Sequence, residues 1–323
     1  MFRPELWPEI VPVQLRRLIK VLGAALQLAA AVFLAWMLWR YLPAILALDV
    51  GTPGLVFIGV AGGLLSMAIL GLIGMGWREL IATGAPPPAR LVLWITGRTS
   101  IAKYLPSNML HYAGRQIFAP SLGVSQARVL ASSIAEVLCV IGANGLITLL
   151  AVASAGRLPS GWPPTPLLVL AAGACMLAPV GPMLAARLIR DRLPKIAPLL
   201  DVRWPALVRS FCLYGGAMAL GAVSFVMVMA VLGGLAGGAR IGGLVAAYAC
   251  SYVVGFVTPG SPGGLGVRET ALVLLTAGMA EPSLVLGAAL LQRVTLILGE
   301  AAAFGLTLTV PGPPMGESPE ADA

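Results

Sequence analysis

Long, unbroken runs of apolar residues constrain the fold of this chain more than any other feature of its sequence. A helix needs about 20 consecutive apolar residues to cross the hydrocarbon core of a bilayer. Seven runs approach or exceed that length: 18–38, 55–76, 127–153, 165–186, 207–232, 241–257 and 284–309. Because these runs are continuous and do not alternate with polar residues, they predict helices and not the strands of a membrane barrel. With 59% hydrophobic and 11% charged residues, the chain is predicted to be an all-α, polytopic helical membrane protein.

The distribution of lysine and arginine predicts the orientation of the chain. If the N-terminus is cytoplasmic, the segments on that side carry sixteen of these residues, and those on the other side carry three. Cytoplasmic loops are enriched in Lys and Arg, so we expect a cytoplasmic N-terminus. The formal net charge of +8 fits contact with anionic lipid headgroups, and no aromatic–basic motif for nucleic acid accompanies it. The tail from Pro311 to Ala323, rich in proline and acidic residues, is predicted to be disordered.

Two interrupted segments share one internal spacing. Pro106 precedes Arg115 by nine residues, Pro259 precedes Arg268 by nine residues, and the two pairs lie 153 positions apart. The same offset carries three of the apolar runs of the first half close to runs of the second half. We therefore predict a single transmembrane domain made of two pseudo-repeats, at about 18–153 and 165–309, in opposite orientations because three crossings separate them. The alternative is a chance alignment of apolar runs.

Both interrupted segments are predicted to be re-entrant hairpins. Segment 90–119 would enter the membrane from the cytoplasm, and segment 241–279 would enter from the other side, with its second helix starting at about Val267. Glycine and proline break helices, and broken backbone at membrane depth is tolerated only where it is buried in protein or lines a cavity. Paired breaks of this kind predict a transport site near the bilayer midplane. The alternative is a pair of tight loops outside the bilayer with their charged residues solvated.

The segment Lys103-Tyr-Leu-Pro-Ser-Asn-Met-Leu-His-Tyr-Ala-Gly-Arg115, together with Pro262-Gly-Gly-Leu-Gly-Val-Arg-Glu269, resembles the flippase-like transmembrane region of the lysylphosphatidylglycerol synthase family. The resemblance covers nearly the whole chain. Ser107 stands where the family usually has glycine, a departure that would loosen the first turn. The resemblance implies a flippase-like domain in a bacterial-type plasma (inner) membrane that moves or binds an anionic or amino-modified lipid. Because the chain ends at Ala323, soon after its last apolar run, we expect no aminoacyltransferase activity and no enzyme.

Charged side chains inside the apolar runs are candidate site residues, because each costs at least about 2.5–3.5 kcal/mol at mid-bilayer. Glu136 shares a helical face with Ser133, Val140 and Asn144, so this stripe is predicted to face the helix bundle. Arg293 lies at a comparable depth in the last run. We therefore expect a Glu136–Arg293 contact, either as a structural ion pair or as a switchable pair that competes with a lipid phosphate or a proton.

Arg115 and Arg268 end the two turn motifs, and a guanidinium group binds phosphate through two parallel hydrogen bonds. Two arginines that approach the midplane from opposite sides would form a ladder for a headgroup. Alternatively, each arginine only ties its own hairpin to backbone carbonyls. Glu269 would project about 100° away from Arg268 on a helix, where it complements the helix dipole or senses a cation or proton.

The remaining candidate binding residues belong to the two turns: Tyr104, Asn108, His111, Gly263 and Gly264. His111 is the only histidine and has no cluster of further ligands in the sequence, so we expect no metal site. No phosphate-binding loop of the nucleotide-hydrolysing type is present. We expect no cofactor.

Three functions remain open from the sequence. The leading hypothesis is a lipid flippase or transporter whose headgroup site is a polar midplane cavity. The second is a membrane-embedded enzyme acting on lipid-linked phosphate, with Glu136 or Glu269 and His111 as acid–base groups. The third is an accessory subunit that presents lipid to a partner. Expected partners are a membrane phospholipid or lipid-linked substrate, with a homo-oligomer or a separate lipid-modifying enzyme as further possibilities and no nucleic acid.

Overall fold

The computed structural model describes residues 50–104, 110–155, 165–181, 202–235, 241–258 and 266–312, together with positions 39, 184, 187 and 264. In this part of the chain the regular structure is entirely helical. Nine α-helices are described: α1 (Gly51–Ile81), α2 (Ala89–Ser100), α3 (Leu110–Ile117), α4 (Gln126–Ala155), α5 (Thr165–Leu177), α6 (Trp204–Val231), α7 (Ile241–Val257), α8 (Val267–Leu275) and α9 (Pro282–Thr309). The all-α prediction is confirmed.

Four of these helices, α1, α4, α6 and α9, are long and apolar enough to cross a membrane. Their bounds match four of the predicted runs to within a few residues. Helix α1 also leaves large apolar side chains uncovered along one face, at Val56, Phe57, Val60 and Leu64. Exposed apolar surface of this extent is a feature of membrane-facing helices. The protein is therefore a polytopic helical membrane protein.

Two predicted runs differ from the expectation or lie outside the described residues. Run 18–38 and most of the tail 311–323 fall outside the described part of the chain. Helix α5 ends at Leu177 and continues as a 3₁₀ turn at Ala178–Val180. Pro179 lacks the N–H that an α-helix needs, so the α-helix is interrupted at this turn, and α-helical residues follow at Gly181 and Leu184.

The first interrupted segment folds as two short helices joined by a break. Helix α2 passes into a 3₁₀ turn at Ile101–Tyr104, and α3 begins at Leu110. The two arms contact each other. At the contact, the Cβ position of Gly114 lies 3.1 Å from a side-chain carbon of Thr99, so glycine lets the arms approach closely.

The second interrupted segment has the same organisation. Helix α7 ends at Val257 and α8 begins at Val267, as the sequence predicts. These arms also pack together, because Gly255 on α7 leaves room for Arg268 on α8 and Gly264 approaches the carbonyl of Gly255. Gly264 has a φ of 74°, in the left-handed region that favours glycine.

Helix bounds recur at the offset of 153 residues. Adding 153 to α1 gives 204–234, and α6 runs Trp204–Val231. The same addition to α4 gives 279–308, and α9 runs Pro282–Thr309. Helix α2 moves to 242–253, inside α7.

Helix α1 packs against both α6 and α9 at glycines and small residues. A Cβ at Gly76 would lie 2.8 Å from the ring of Tyr214 on α6, and a Cβ at Gly62 would lie 2.6 Å from Thr295 on α9. From the other side, a Cβ at Gly299 would lie 2.7 Å from the carbonyl oxygen of Gly63. Small residues allow membrane helices to approach closely. These contacts hold the middle of α1 against α6 and α9, where the cavity described next is found.

Candidate functional site

A cavity of about 130 Å³ lies between the long helices and the two hairpins. The long helices contribute residues from their middle sections, including Leu70 of α1, Met218 of α6 and Leu296 of α9. One water needs about 10–15 Å³ of such space, so the cavity has room for several waters or for part of a small polar headgroup. Its charged and polar lining comes mainly from α2, α3, α4, α7, α8 and α9: Thr96, Ser100, Lys103, Tyr104, His111, Tyr112, Arg115, Glu136, Tyr248, Tyr252, Arg268, Arg293 and Glu300.

Arg115 and Glu136 form a buried ion pair on one side of the cavity. Nη1 of Arg115 donates to Oε2 of Glu136 at 2.5 Å, and both side chains are at least 96% buried. The hydroxyl of Tyr214 donates to the same oxygen at 2.8 Å. The guanidinium group of Arg115 also lies 4.3 Å from the centroid of the Trp77 ring, a favourable cation–π geometry.

The predicted Glu136–Arg293 contact is wrong, because each residue has a different partner. Helix α3 packs against α4, which brings Arg115 to Glu136. Arg293 pairs instead with Glu269. The other oxygen of Glu269 accepts a hydrogen bond from the backbone N–H of Gly266 at 2.7 Å. Glu269 thus caps the start of α8, the dipole role expected for it, and also ties α8 to α9.

Lys103 and Glu300 form the third ion pair of the cavity. Lys103 lies in the 3₁₀ turn that follows α2, and Glu300 lies on α9. About a third of the Lys103 side chain is exposed, whereas Glu300 is buried. Nζ of Lys103 is also 5.3 Å from the centroid of the Tyr104 ring. This pair is therefore the most accessible of the three.

Arg268 is held by aromatic rings. Its guanidinium carbon lies 4.6 Å from the centroid of Tyr248 and 4.9 Å from that of Tyr252. Among the described residues it forms no ion pair with a carboxylate. Glu269, its neighbour in the chain, faces Arg293 instead, which agrees with the expectation that Arg268 and Glu269 do not pair directly.

The three arginines predicted for the site, Arg115, Arg268 and Arg293, all line the same cavity. For Arg115 and Arg268, the sequence left open that each side chain only binds backbone carbonyls of its own hairpin. The structure shows other contacts, since Arg115 binds a carboxylate and Arg268 lies against two rings. The stripe of Ser133, Glu136, Val140 and Asn144 is buried in the bundle, so that prediction is confirmed.

The five candidate residues of the two turns have different positions. Tyr104 and His111 line the cavity, and Gly264 forms the close contact between α7 and α8. Asn108 and Gly263 lie outside the described residues. The ring of His111 lies 3.8 Å from that of Tyr112, measured between centroids.

Several residues of the site were missed by the sequence interpretation. Tyr248 and Tyr252 are four residues apart on α7, so they share a face, and this spacing was a signal that could have been used. Lys103 lies inside the first turn motif, but its partner Glu300 is 197 residues away. Tyr214 carries no local signal that links it to Glu136.

Comparison of the chain with protein-family models and with curated proteins gives no match in either set.

Proposed function

We propose that this protein is a lipid transporter of the flippase-like class, in which a polar headgroup enters the cavity while the acyl chains remain in the bilayer. The observation that carries the proposal is the set of charged side chains around the cavity. The cavity is lined by the cations Lys103, Arg115, Arg268 and Arg293 and by the carboxylates Glu136 and Glu300. Glu269, which pairs with Arg293, lies behind this lining. Buried charges at membrane depth are costly and characteristically belong to substrate or ion pathways.

The lengths of the hairpin helices support a location of the two breaks within the membrane. At about 1.5 Å per residue, α2, α3 and α8 extend about 18, 12 and 14 Å, well short of the ~30 Å hydrocarbon core, and α7 extends about 26 Å, a little short of it. Their ends meet at a cavity that is lined by the middle sections of the four long helices. This arrangement is what re-entrant hairpins that converge from opposite sides would produce.

The recurrence of helix bounds at 153 residues supports two inverted repeats. In transporters with inverted repeats, the substrate site lies at the repeat interface near the midplane. The resemblance of the two turn motifs to the lysylphosphatidylglycerol synthase flippase region points to the same class. A cytoplasmic N-terminus, a bacterial-type inner membrane location and a lipid as the partner molecule belong to this proposal.

The alternative of a membrane-embedded enzyme is less well supported. Its acid–base groups would be Glu136 or Glu269 together with His111, and both carboxylates are bound by arginines. Either carboxylate would have to leave its arginine partner before it could act on a substrate. Turnover of a lipid-linked phosphate in detergent, where no second leaflet exists, would support the enzyme.

A flip assay in proteoliposomes tests the transport function. Purified protein is reconstituted with acyl-labelled fluorescent lipid, and a membrane-impermeant quencher reports the probe that reaches the outer leaflet. We expect faster loss of the inner-leaflet signal than in protein-free vesicles. Arg268→Ala should slow it, whereas Arg98→Ala should not, because Arg98 lies over the rings of Trp94 and Phe304 and does not line the cavity. Rates equal to those of protein-free vesicles would contradict transport.

A further inference from the structure

The charge balance of the cavity is uneven among the described residues. Three cations are matched one to one by carboxylates: Lys103 with Glu300, Arg115 with Glu136, and Arg293 with Glu269. Arg268 is the fourth cation, and it faces two tyrosine rings without a carboxylate partner. The two breaks add no ionisable residue, since 105–109 and 259–263 contain only Leu, Pro, Ser, Asn, Met and Gly.

Aromatic contacts do not fully compensate the charge of Arg268. A ring attracts a cation through its quadrupole but carries no net charge, so the contacts with Tyr248 and Tyr252 leave the positive charge of Arg268 unbalanced. Arg268 is also only partly buried, so a ligand in the cavity can reach it. One negative charge would complete the balance.

Two buried polar atoms on the cavity wall have no hydrogen-bond partner in the described part of the chain. They are Nε of Arg115, a donor, and Oε2 of Glu300, an acceptor. Both residues line the cavity and are at least 95% buried. Buried groups of this kind are normally satisfied by water or by a ligand. The wall therefore offers a cation and a donor for an anion, and separately an acceptor for a donor group.

We propose, on the basis of the proposed transport function, that the cavity selects a headgroup with a single negative charge, a phosphodiester, that also carries a hydrogen-bond donor. The phosphodiester lies against Arg268 and accepts from Nε of Arg115. A hydroxyl of the headgroup donates to Oε2 of Glu300. A phosphate monoester carries about −1.5 to −2 at neutral pH, so it exceeds the one uncompensated positive charge.

Competitive lipid binding to the purified protein in detergent, followed by native mass spectrometry, tests this selectivity without requiring transport. Four lipids with identical acyl chains are compared. Phosphatidylglycerol is a phosphodiester with hydroxyl donors, phosphatidylmethanol is a phosphodiester without a donor, phosphatidylcholine is a zwitterion, and phosphatidic acid is a monoester. We expect phosphatidylglycerol to bind roughly tenfold better than each of the others, the factor of one hydrogen bond to a charged group.

Substitutions at Arg268 assign the preference to this residue. Arg268→Gln should remove the preference for phosphatidylglycerol over phosphatidylcholine, and Arg268→Lys should retain it in weaker form because the charge remains. Arg98→Gln is the matched control, since Arg98 also lies over aromatic rings but outside the cavity, and it should leave the preference unchanged. If Arg268→Gln does not fold, the lysine variant and the lipid series decide the matter.

Several results would overturn the selectivity: equal binding of phosphatidylcholine, equal binding of phosphatidylmethanol, stronger binding of phosphatidic acid, no binding of any lipid, or a preference that survives Arg268→Gln. Each of these results is distinct from failure of transport. Selective binding without flipping would leave the headgroup site standing and remove the transport function. Flipping without headgroup preference would support the transport function and contradict the selective headgroup site.

Discussion

At the scale of single residues, the Arg115–Glu136 pair has either a structural role or a role in the headgroup site, and substitutions can distinguish the two. Removal of one partner from a buried ion pair leaves an uncompensated charge and costs about 3–5 kcal/mol, whereas replacement of both partners by apolar residues is often neutral. The Arg115–Glu136 pair is buried on both sides. If the pair is purely structural, replacement of both residues by apolar ones should preserve stability and transport. If the pair forms part of a headgroup site, the same replacement should preserve stability but abolish transport.

We expect Arg115→Met alone to lower the stability of the protein by about 3–5 kcal/mol, seen as a lower melting temperature in detergent. The double variant Arg115→Met, Glu136→Leu should recover most of that stability, although the hydroxyl of Tyr214 loses its acceptor. Transport by the double variant should still be lost, because the cavity wall has become apolar. A stable double variant with normal transport would assign the pair a structural role only.

At the scale of helices, two glycines of α1 have different surroundings and therefore different effects on helix packing. Gly62 faces Thr295 of α9, while Gly59 has open space where its side chain would be. The two residues lie one turn apart on the same helix. They therefore provide a matched pair for a test of how α1 packs against α9.

Gly62→Ala should separate α1 from α9 and destabilise the protein by about 1–3 kcal/mol, the usual cost of overpacking. Gly59→Ala meets no neighbour and should be neutral, or stabilising by up to about 1 kcal/mol through helix propensity. The melting temperatures of both variants in detergent provide the measurement. An equal effect of the two substitutions would show that this contact does not hold the helices together.

At the scale of the whole molecule, the ion pairs connect the hairpins to the long helices in a repeated way. In each half, the short helix after the break is tied to the next long helix, through Arg115–Glu136 in the first half and Glu269–Arg293 in the second. The signs of the charges are exchanged between the halves. Lys103–Glu300 differs, because it joins the first hairpin to the last long helix and so connects the two halves.

A transport cycle in which the two halves move relative to each other should depend on the Lys103–Glu300 pair. We expect Lys103→Glu, which places two carboxylates together, to lower flip rates roughly tenfold or more, a factor equivalent to about 1.4 kcal/mol. The exchange Lys103→Glu, Glu300→Lys should restore a substantial part of the rate. As a control, Arg209→Glu alters the pair between the exposed Arg209 and Glu79, which lies away from the cavity, and it should have little effect. No recovery in the exchanged variant would argue against a pairing role.

The fold class, most helix bounds and the buried face of α4 could be predicted from the sequence, because apolar runs, helix-breaking residues and helical periodicity are local properties. Helix α7 over 241–257 and the start of α8 at Val267 follow directly from these signals. The sequence also identified Arg115, Glu136, Arg268, Glu269 and Arg293 as costly charges that need a polar environment.

The partner of each charged side chain, in contrast, follows from the way the helices pack. Glu136 binds Arg115 and not Arg293, Lys103 reaches Glu300 across 197 positions, and Arg268 rests on Tyr248 and Tyr252. Ion pairing depends on distances of a few ångströms, which the packing of hairpins against long helices sets. An offset along the chain gives the depth of a residue in the membrane, but it does not give the direction in which its side chain points.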